Sequence, residues 1–225
     1  MNGTSFSKLI TELTQRIQTI LTSTAQISEQ SKDLEKKADL HLQLANSYCK
    51  TCPELRRTWL ESMVKFHLAN GALSEAAMCL VHISAIQSEY LKEHGSKGIV
   101  GLEMYSKISR NIISDESECD FQCEQTNITE STFTTIIDDC VKMLANADRF
   151  ETASQLMKVV VDLHERDANH EQLAKLYESM SKMHSRALEA NRSGKRLLGT
   201  YFLVVFHGLA RKDTQTFQYI YKEVI

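Results

Sequence analysis

The residues best suited to chemistry are two closely spaced cysteine pairs. One pair is Cys49-x-x-Cys52, in the stretch CKTC, and the other is Cys119-x-x-x-Cys123. A structural zinc ion takes four ligands, usually from two such pairs, so these thiols supply the required number. A redox role for Cys-x-x-Cys would need a βαβ context, which the surrounding sequence lacks. We therefore interpret CKTC as a junction between helices, and we predict no bound metal and no cofactor.

The histidines and carboxylates form no recognisable catalytic group. His82, His164 and His184 fall in the apolar stripes of predicted helices, where a hydrogen-bonded histidine in or near the core is commoner than a ligand. The sequence contains no HExxH zinc motif, no phosphate-binding GxxxxGK loop and no GxSxG nucleophile motif. From its motifs alone, the chain is predicted to be a helical interaction module, with no catalytic residues.

Composition and charge narrow the class of protein. The 225 residues are 42% hydrophobic and 24% charged, which is enough apolar material to fill a core. The net charge of −3 gives no overall attraction for nucleic acid or an anionic membrane. No apolar run reaches the ~18 residues that span a bilayer, and the N-terminus lacks a secretory signal pattern. We expect a cytoplasmic protein, which regions outside this chain would recruit to a membrane.

Apolar spacing predicts a series of helices over residues 1–192. A single proline and eight glycines favour long helices joined by short turns. Small residues lie early in the second helix of three successive pairs, which indicates stacked antiparallel helical hairpins in a tetratricopeptide-like array; these are Ala76, Ala153 and Ala174. The stretch of about 95–128 interrupts the pattern and contains SDESECDFQCE. We predict a long acidic loop there, largely exposed and partly disordered.

The helical period ends at Gly194. Residues Leu197 to His207 are nearly all apolar, as in a strand covered on both faces, and FQYIYKEVI alternates as a second strand would. The sequence therefore predicts a short C-terminal β-hairpin. Because two strands alone are marginal in water, we expect this hairpin to belong to a truncated sheet lobe and the chain to be incomplete.

Several long segments resemble the DOCKER domain, also called the second dock homology region, of DOCK guanine-nucleotide exchange factors. They are LQLANSY, PELRRTWLESM, LSEAAMCLVHISAIQSEYL, SGKRLLGTYFLVVFHG and YIYKE. The sequence of these segments is similar to that of the zizimin-like and neighbouring subfamilies. The resemblance covers most of the chain and leaves out the acidic loop and the first thirty residues.

The resemblance implies a mostly α fold in two parts. Residues 1–192 would form a helical-repeat lobe that homodimerises, and residues 193–225 would form the first two strands of an incomplete β lobe that touches a GTPase. The implied contacts are Tyr201, Leu203 and Val205; the family commonly has arginine where this sequence has Leu203, which removes a charge. The family's third lobe, whose loop inserts a valine to expel nucleotide and Mg²⁺, has no counterpart in this sequence.

The implied function is part of an exchange factor for Rho-family small GTPases of the Rac type. Such a factor binds the nucleotide-free GTPase better than the loaded form, so it needs no covalent chemistry. Without the third lobe, the chain alone is expected not to catalyse exchange. The alternative is a stand-alone helical scaffold that binds partners or dimerises, and a zinc or thiol enzyme is a third interpretation.

Overall fold

A computed structural model describes residues 3–28, 34–47, 53–109, 112, 127–195, 200–206 and 217–223. The helices are α1 Gly3–Ser28, α2 Leu34–Ser47, α3 Pro53–Ala69, α4 Leu73–Glu93, α5 Leu102–Ser106, α6 Glu130–Asn146, α7 Phe150–Met157, α8 Val161–Arg166 and α9 His170–Ser193. A single 3-10 turn, Lys158–Val160, joins α7 to α8. Two extended segments follow, β1 Thr200–Phe206 and β2 Phe217–Glu223.

The helices stack in chain order. Helix α1 packs on α2, α2 on α3, α3 on α4, α4 on α6, α6 on α7, and α9 on both α7 and α8. Short turns at 70–72, 147–149 and 167–169 reverse the chain between neighbours. The prediction of a mostly helical fold built from stacked hairpins is confirmed.

Local side-chain chemistry sets several helix ends. At the start of α6, the Thr129 hydroxyl accepts from the Thr132 amide at 3.2 Å, and the Thr129 amide donates to the Thr132 hydroxyl at 2.9 Å. At the start of α9, Asn169 Oδ1 accepts from the Gln172 amide at 3.2 Å. Helix α9 ends at Gly194, whose φ of 64° lies in the left-handed region that glycine adopts without strain.

Helix α4 is the centre of the core because it is buried on two sides. On one side, Val81 belongs to an apolar cluster with Phe133 and Ile137 of α6. On the other side, Ile83 belongs to a second cluster with Leu60 of α3. The three alanines of α4, Ala76, Ala77 and Ala85, are fully buried, which lets the neighbouring helices approach closely.

The segment that follows α4 packs onto the core. Ile99, Leu102 and Tyr105 are buried, Tyr105 completely, and Ile112 and Ile128 are buried as well. The prediction of a largely exposed loop is therefore wrong for these residues, because a short segment with irregular apolar spacing has no period that sequence analysis can detect. The acidic stretch 113–126 lies outside the described residues.

The fold-class prediction was wrong at the C-terminal end. The predicted β-hairpin of a sheet lobe is not seen: among the described residues, β1 and β2 form an isolated antiparallel pair with no further strand beside it, and their connection, 207–216, lies outside the described residues. Val204, in the middle of β1, is only partly buried, whereas we expected a strand covered on both faces. The physical reason is that apolar composition alone does not cover a strand; a two-stranded ladder has no second layer to do so.

Helices α2 and α3 meet at a buried histidine. His41 is 6% exposed, and its ring centroid lies 5.6 Å from that of Phe66 and 6.4 Å from that of Trp59. Burial lowers the pKa of His41 below its ordinary value of 6.5, and the nearby His67 and Lys37 lower it further. The neutral imidazole is therefore the form that this site stabilises.

We expect the free energy of unfolding to fall as the pH drops below about 6.5. The unfolded chain binds a proton at His41 more readily than the folded chain, so full stability holds above 6.5 and is lost as the pH falls towards the lowered folded pKa. Urea unfolding at a series of pH values measures this slope. His41→Phe keeps an aromatic ring against Phe66 and should flatten the slope; equal slopes in both proteins would contradict the assignment.

Candidate functional site

The three predicted GTPase contacts lie at alternate positions of β1. Tyr201 pairs with Lys222, Leu203 with Ile220, and Val205 with Gln218 of β2. The side chains of the three predicted contacts lie outside what the structure describes. Their role as GTPase contacts therefore stays a prediction.

The cysteines and histidines singled out in the sequence do not assemble into a described site. Cys49, Cys52, Cys119 and Cys123 lie outside the described residues. In the part of the chain that the structure describes, no group of three or more histidine, cysteine or acidic side chains could hold a metal ion. No helix among those residues is long and apolar enough to cross a membrane.

The described thiols are held in their protonated form. Burial raises the pKa of Cys79 to about 12, and it raises the pKa of the fully buried Cys140 thiol as well. Because the thiolate is the reactive form of cysteine, neither side chain is set up as a nucleophile.

Two of the predicted boundary histidines make contacts between helices. His82 Nε2 lies 3.2 Å from a guanidinium nitrogen of the buried Arg56. His184 Nε2 lies 2.9 Å from the hydroxyl of Ser154, which is 1% exposed. These contacts join α3 to α4 and α7 to α9, so both histidines act in packing.

Three exposed large apolar side chains form a stripe along α1. Ile10 and Ile17 are 48% exposed and Leu21 is 65% exposed. Spacings of seven and four residues place these three side chains, here called the α1 stripe, on one face of the helix. On its other side α1 packs against α2, with Ser23 buried and Ile20 and Ile27 partly buried. Helix α2 therefore covers only part of the apolar face of α1.

The exposed α1 side chains that the structure describes are uncharged. Every exposed α1 residue whose side chain the structure describes is an isoleucine, leucine, alanine, serine, threonine or glutamine, and residues 17–28 contain no ionisable side chain. The hydroxyls of Thr11, Thr14 and Thr24 donate to backbone carbonyls four residues earlier, at 2.7–2.9 Å. These three hydroxyl groups therefore already donate their hydrogen bonds within the helix.

A polar groove lies between α1 and α2, on the flank of α1 away from the α1 stripe. It has a volume of about 520 Å³, and the described residues that line it all carry amide or hydroxyl side chains: Gln15, Gln18, Thr19, Thr22, Ser23, Gln26 and Gln43. Each amide carries both hydrogen-bond donors and an acceptor. This groove, here called the glutamine groove, can therefore bind neutral polar groups without a charge on either side.

Helix α9 offers a contrast at the other end of the helical array. Tyr177 and Leu188 are each 51% exposed, and the same helix also carries ion pairs. Lys175 pairs with Glu171 at 2.5 Å, and Lys182 pairs with Glu178 at 2.7 Å. Ion pairs four residues apart are typical of a solvated helix surface.

A second groove lies between α6 and α9, with a volume of about 530 Å³. Its apolar lining includes Ile137, Met157 and Val160, which are 1–4% exposed and belong to the core. Val141 and Leu176, which are partly buried, also line it. Among the described surfaces, α1 is the best candidate for binding another macromolecule.

The spacing of apolar residues in the sequence indicates an apolar face of α1 but not its exposure. Helical spacing puts Ile10, Ile17 and Leu21 near Ile20 and Ile27, and nothing in that spacing shows how much of the face α2 covers. The available signal was the absence of charge from Ile17 to Ser28, which is unusual for a surface helix.

Comparison with known proteins gives one family and several relatives. The family model DHR-2, Lobe A matches residues 39–189. Dedicator of cytokinesis protein 9 from Mus musculus is 38% identical over 236 residues, covering 98% of this chain and 11% of the relative. Dedicator of cytokinesis protein 11 from Danio rerio is 39% identical, and protein 8 from Mus musculus is 30% identical; each match covers 99% of this chain and 11% of the relative. The chain thus spans about a ninth of the length of these relatives.

Proposed function

Since this chain belongs to the DHR-2 lobe A family, we propose that it is the helical lobe of a guanine-nucleotide exchange factor for Rho-family small GTPases of the Rac type. The observation that carries the proposal is the match over residues 39–189, which runs from within α2 to within α9. The same match confirms the resemblance to the DOCKER domain. It covers the stacked helices that bury most of the described core.

In the proposed function, this chain supplies binding surfaces and structural support, and it does not itself expel the nucleotide. Residues 1–192 form the helical lobe, and the residues from 193 onwards begin the lobe that binds the GTPase, with Tyr201, Leu203 and Val205 as contacts. Exchange by this route is a competition between nucleotide and exchange factor for the GTPase, so it requires binding surfaces and no nucleophile. A chain made of packed helices, whose two described thiols are held protonated, suits that role.

The helical lobe is also proposed to homodimerise. The large apolar residues exposed on α1 support this, because monomeric proteins seldom leave such a stripe in water. A dimeric lobe would bring two exchange units together without taking part in nucleotide release.

Release of fluorescent GDP from a Rac-type GTPase tests the exchange part. We expect the chain alone to leave the spontaneous rate unchanged, because the element that expels nucleotide lies outside it. A chimera in which residues 1–225 replace the aligned stretch of the mouse protein 9 relative should retain that relative's exchange rate on its own GTPase. Exchange by the chain alone would refute the proposal that this chain supplies only binding and support. An inactive but folded chimera would refute the proposal that it is the helical lobe of an exchange factor.

A helical scaffold that only binds partners is the second candidate. The uncharged, partly apolar surface of α1 favours it, since that surface needs no GTPase to be useful. An inactive, folded chimera together with a stable dimer of the isolated chain would favour this function.

A further inference from the structure

We infer that Ser193, at the end of α9, is a phosphorylation site for a serine kinase that selects basic substrates, and that its phosphate loosens the end of α9. The site itself is argued from this chain's own residues, in the sequence NRSGKR, which lies beyond the family match over 39–189. Its regulatory consequence rests on the proposed function, in which the residues from 193 onwards begin the GTPase-binding lobe.

The Ser193 hydroxyl is exposed and weakly held. Ser193 is the last residue of α9, and the side chains of Arg192, Ser193 and Lys195 are all exposed. The hydroxyl donates to the Ala190 carbonyl at 3.3 Å and accepts from the Lys195 amide at 3.3 Å. Hydrogen bonds of these kinds are usually shorter than about 3.2 Å. The oxygen can therefore leave both partners easily and react with a phosphate donor.

Basic residues flank Ser193 on both sides. Arg192 precedes it, Lys195 and Arg196 follow it, and no acidic residue lies between Ser193 and Asp213 in the sequence. Charge patterns are a means by which kinases distinguish their substrates, and complementary charge also speeds the encounter. A kinase with acidic groups around its substrate groove therefore fits this serine.

The end of α9 can open to enter such a groove. Within α9, Ala187 is the last buried residue, and the side chains from Leu188 to Lys195 are exposed except that of Ala190, which is partly buried. Helix ends with few buried contacts open at a small cost in free energy. Gly194, with a φ of 64°, adds a residue that adopts many backbone conformations. The chain around Ser193 can thus be extended without unpacking the core.

The phosphate comes from ATP. The Ser193 oxygen bonds to the γ-phosphorus while the bond from that phosphorus to the β–γ bridging oxygen breaks, ADP leaves, and the hydroxyl proton passes to the catalytic aspartate of the kinase. The product carries a charge of about −1.5 to −2 at pH 7. It lies beside the last carbonyl groups of α9, which carry partial negative charge, so it destabilises the end of the helix. Arg192 and Lys195 can pair with the phosphate once this turn has opened.

The site lies at the joint between the two proposed lobes. Two binding surfaces act on one partner together only while their supporting elements hold them in a fixed geometry. A looser end of α9 weakens that hold. Phosphorylation of Ser193 is therefore expected to lower the rate of nucleotide exchange.

Labelling of the full chain by the isolated catalytic domain of protein kinase C and ATP tests the site, with mass spectrometry to locate the phosphate. We expect Ser193 to be the main site. Ser193→Ala should lower incorporation by about tenfold, and the double variant Arg192→Gln, Lys195→Gln should lower it to a similar extent. Ser185→Ala is the matched control and should not change incorporation. Ser185 is also exposed on α9, but its hydroxyl donates to the Ser181 carbonyl at 3.0 Å within the helix.

A synthetic peptide of residues 188–199 makes a negative result decisive. A labelled peptide beside an unlabelled chain would mean that the folded helix shields Ser193, and an unlabelled peptide would mean that its charges are not recognised. Either result overturns the site, as does equal incorporation in wild type and Ser193→Ala.

Amide hydrogen exchange tests the effect of the phosphate on α9. In the phosphorylated chain, the amides of residues 190–195 should exchange at least about fivefold faster, and those of residues 173–183 should be unchanged. Equal exchange at 190–195 before and after labelling would overturn the loosening.

The chimera described above separates this inference from the proposed function. Kinase treatment should lower its rate of GDP release at least about threefold, whereas the same chimera with Ser193→Ala should keep its rate. An active chimera whose rate is unchanged by phosphorylation at Ser193 would overturn the regulation and leave the proposed function standing. An untreated, folded chimera without activity would refute the proposed function, whatever the labelling of Ser193.

Discussion

Replacing Phe133 by alanine is expected to lower the free energy of unfolding by about 3–5 kcal/mol. Phe133 lies in the first turn of α6, is 0% exposed and belongs to the larger apolar cluster, which contains Val81 of α4. Its removal leaves a cavity at the junction of α4 and α6, because close-packed neighbours relax only in part. A urea titration followed by circular dichroism measures this change as a lower midpoint urea concentration, with the dependence of the unfolding free energy on urea (the m-value) unchanged.

Two further variants keep this result interpretable. Leu188→Ala removes an apolar side chain that is 51% exposed, and it should change stability by less than about 0.5 kcal/mol. Phe133→Leu loses less volume and should be destabilised by a smaller amount, so it remains measurable if the alanine variant fails to fold. Equal stability of Phe133→Ala and Leu188→Ala would show that α6 does not pack on α4 in this way.

Replacing Gly98 by alanine is expected to cost about 2–3 kcal/mol of stability. Gly98 has a φ of 76°, and a Cβ there would lie 2.8 Å from the carbonyl oxygen of Asp162 and 3.2 Å from Cα of Leu163. Both obstacles are backbone atoms of α8, so no side-chain rotation relieves the overlap. Thermal unfolding of the variant measures the loss.

Gly95 is the matched control for Gly98. It has a φ of 84°, but nothing lies within 4 Å of the position that its Cβ would take. Gly95→Ala therefore incurs only the cost of a left-handed backbone, about 1 kcal/mol, and the difference between the two variants isolates the contact with α8. Losses of equal size would mean that residues near Gly98 do not lie against α8 in solution.

The contact tested by Gly98→Ala belongs to a wider attachment of this segment to α8. The Arg166 guanidinium donates to the Lys97 carbonyl at 2.6 Å and to both carboxylate oxygens of Glu130 at 2.8 and 2.9 Å. These bonds join the end of α8, the start of α6 and the chain after α4. They explain why a segment predicted to be an exposed loop is held on the core.

The sequence by itself determined the helical elements and the family. Apolar residues at helical spacing predicted the long helices, since that period depends only on neighbouring positions along one helix. Capping at Thr129 and Asn169 and the left-handed Gly194 are equally local, because each involves contacts within a few residues. The motifs around PELRRTWLESM and LSEAAMCLVHISAIQSEYL indicated the family before any fold was known.

The tertiary structure alone decided which apolar residues are covered. Tyr105 lies in an irregular segment and is fully buried, whereas Leu21 lies in a regular amphipathic helix and is 65% exposed. The apolar residues of β1 predicted a covered strand, yet Val204 is only partly buried. Burial depends on which helices and strands, distant in sequence, pack against each other. The periodicity of a single sequence contains no information about that packing. For the same reason, the α1 stripe became a candidate interface only when its packing against α2 was known.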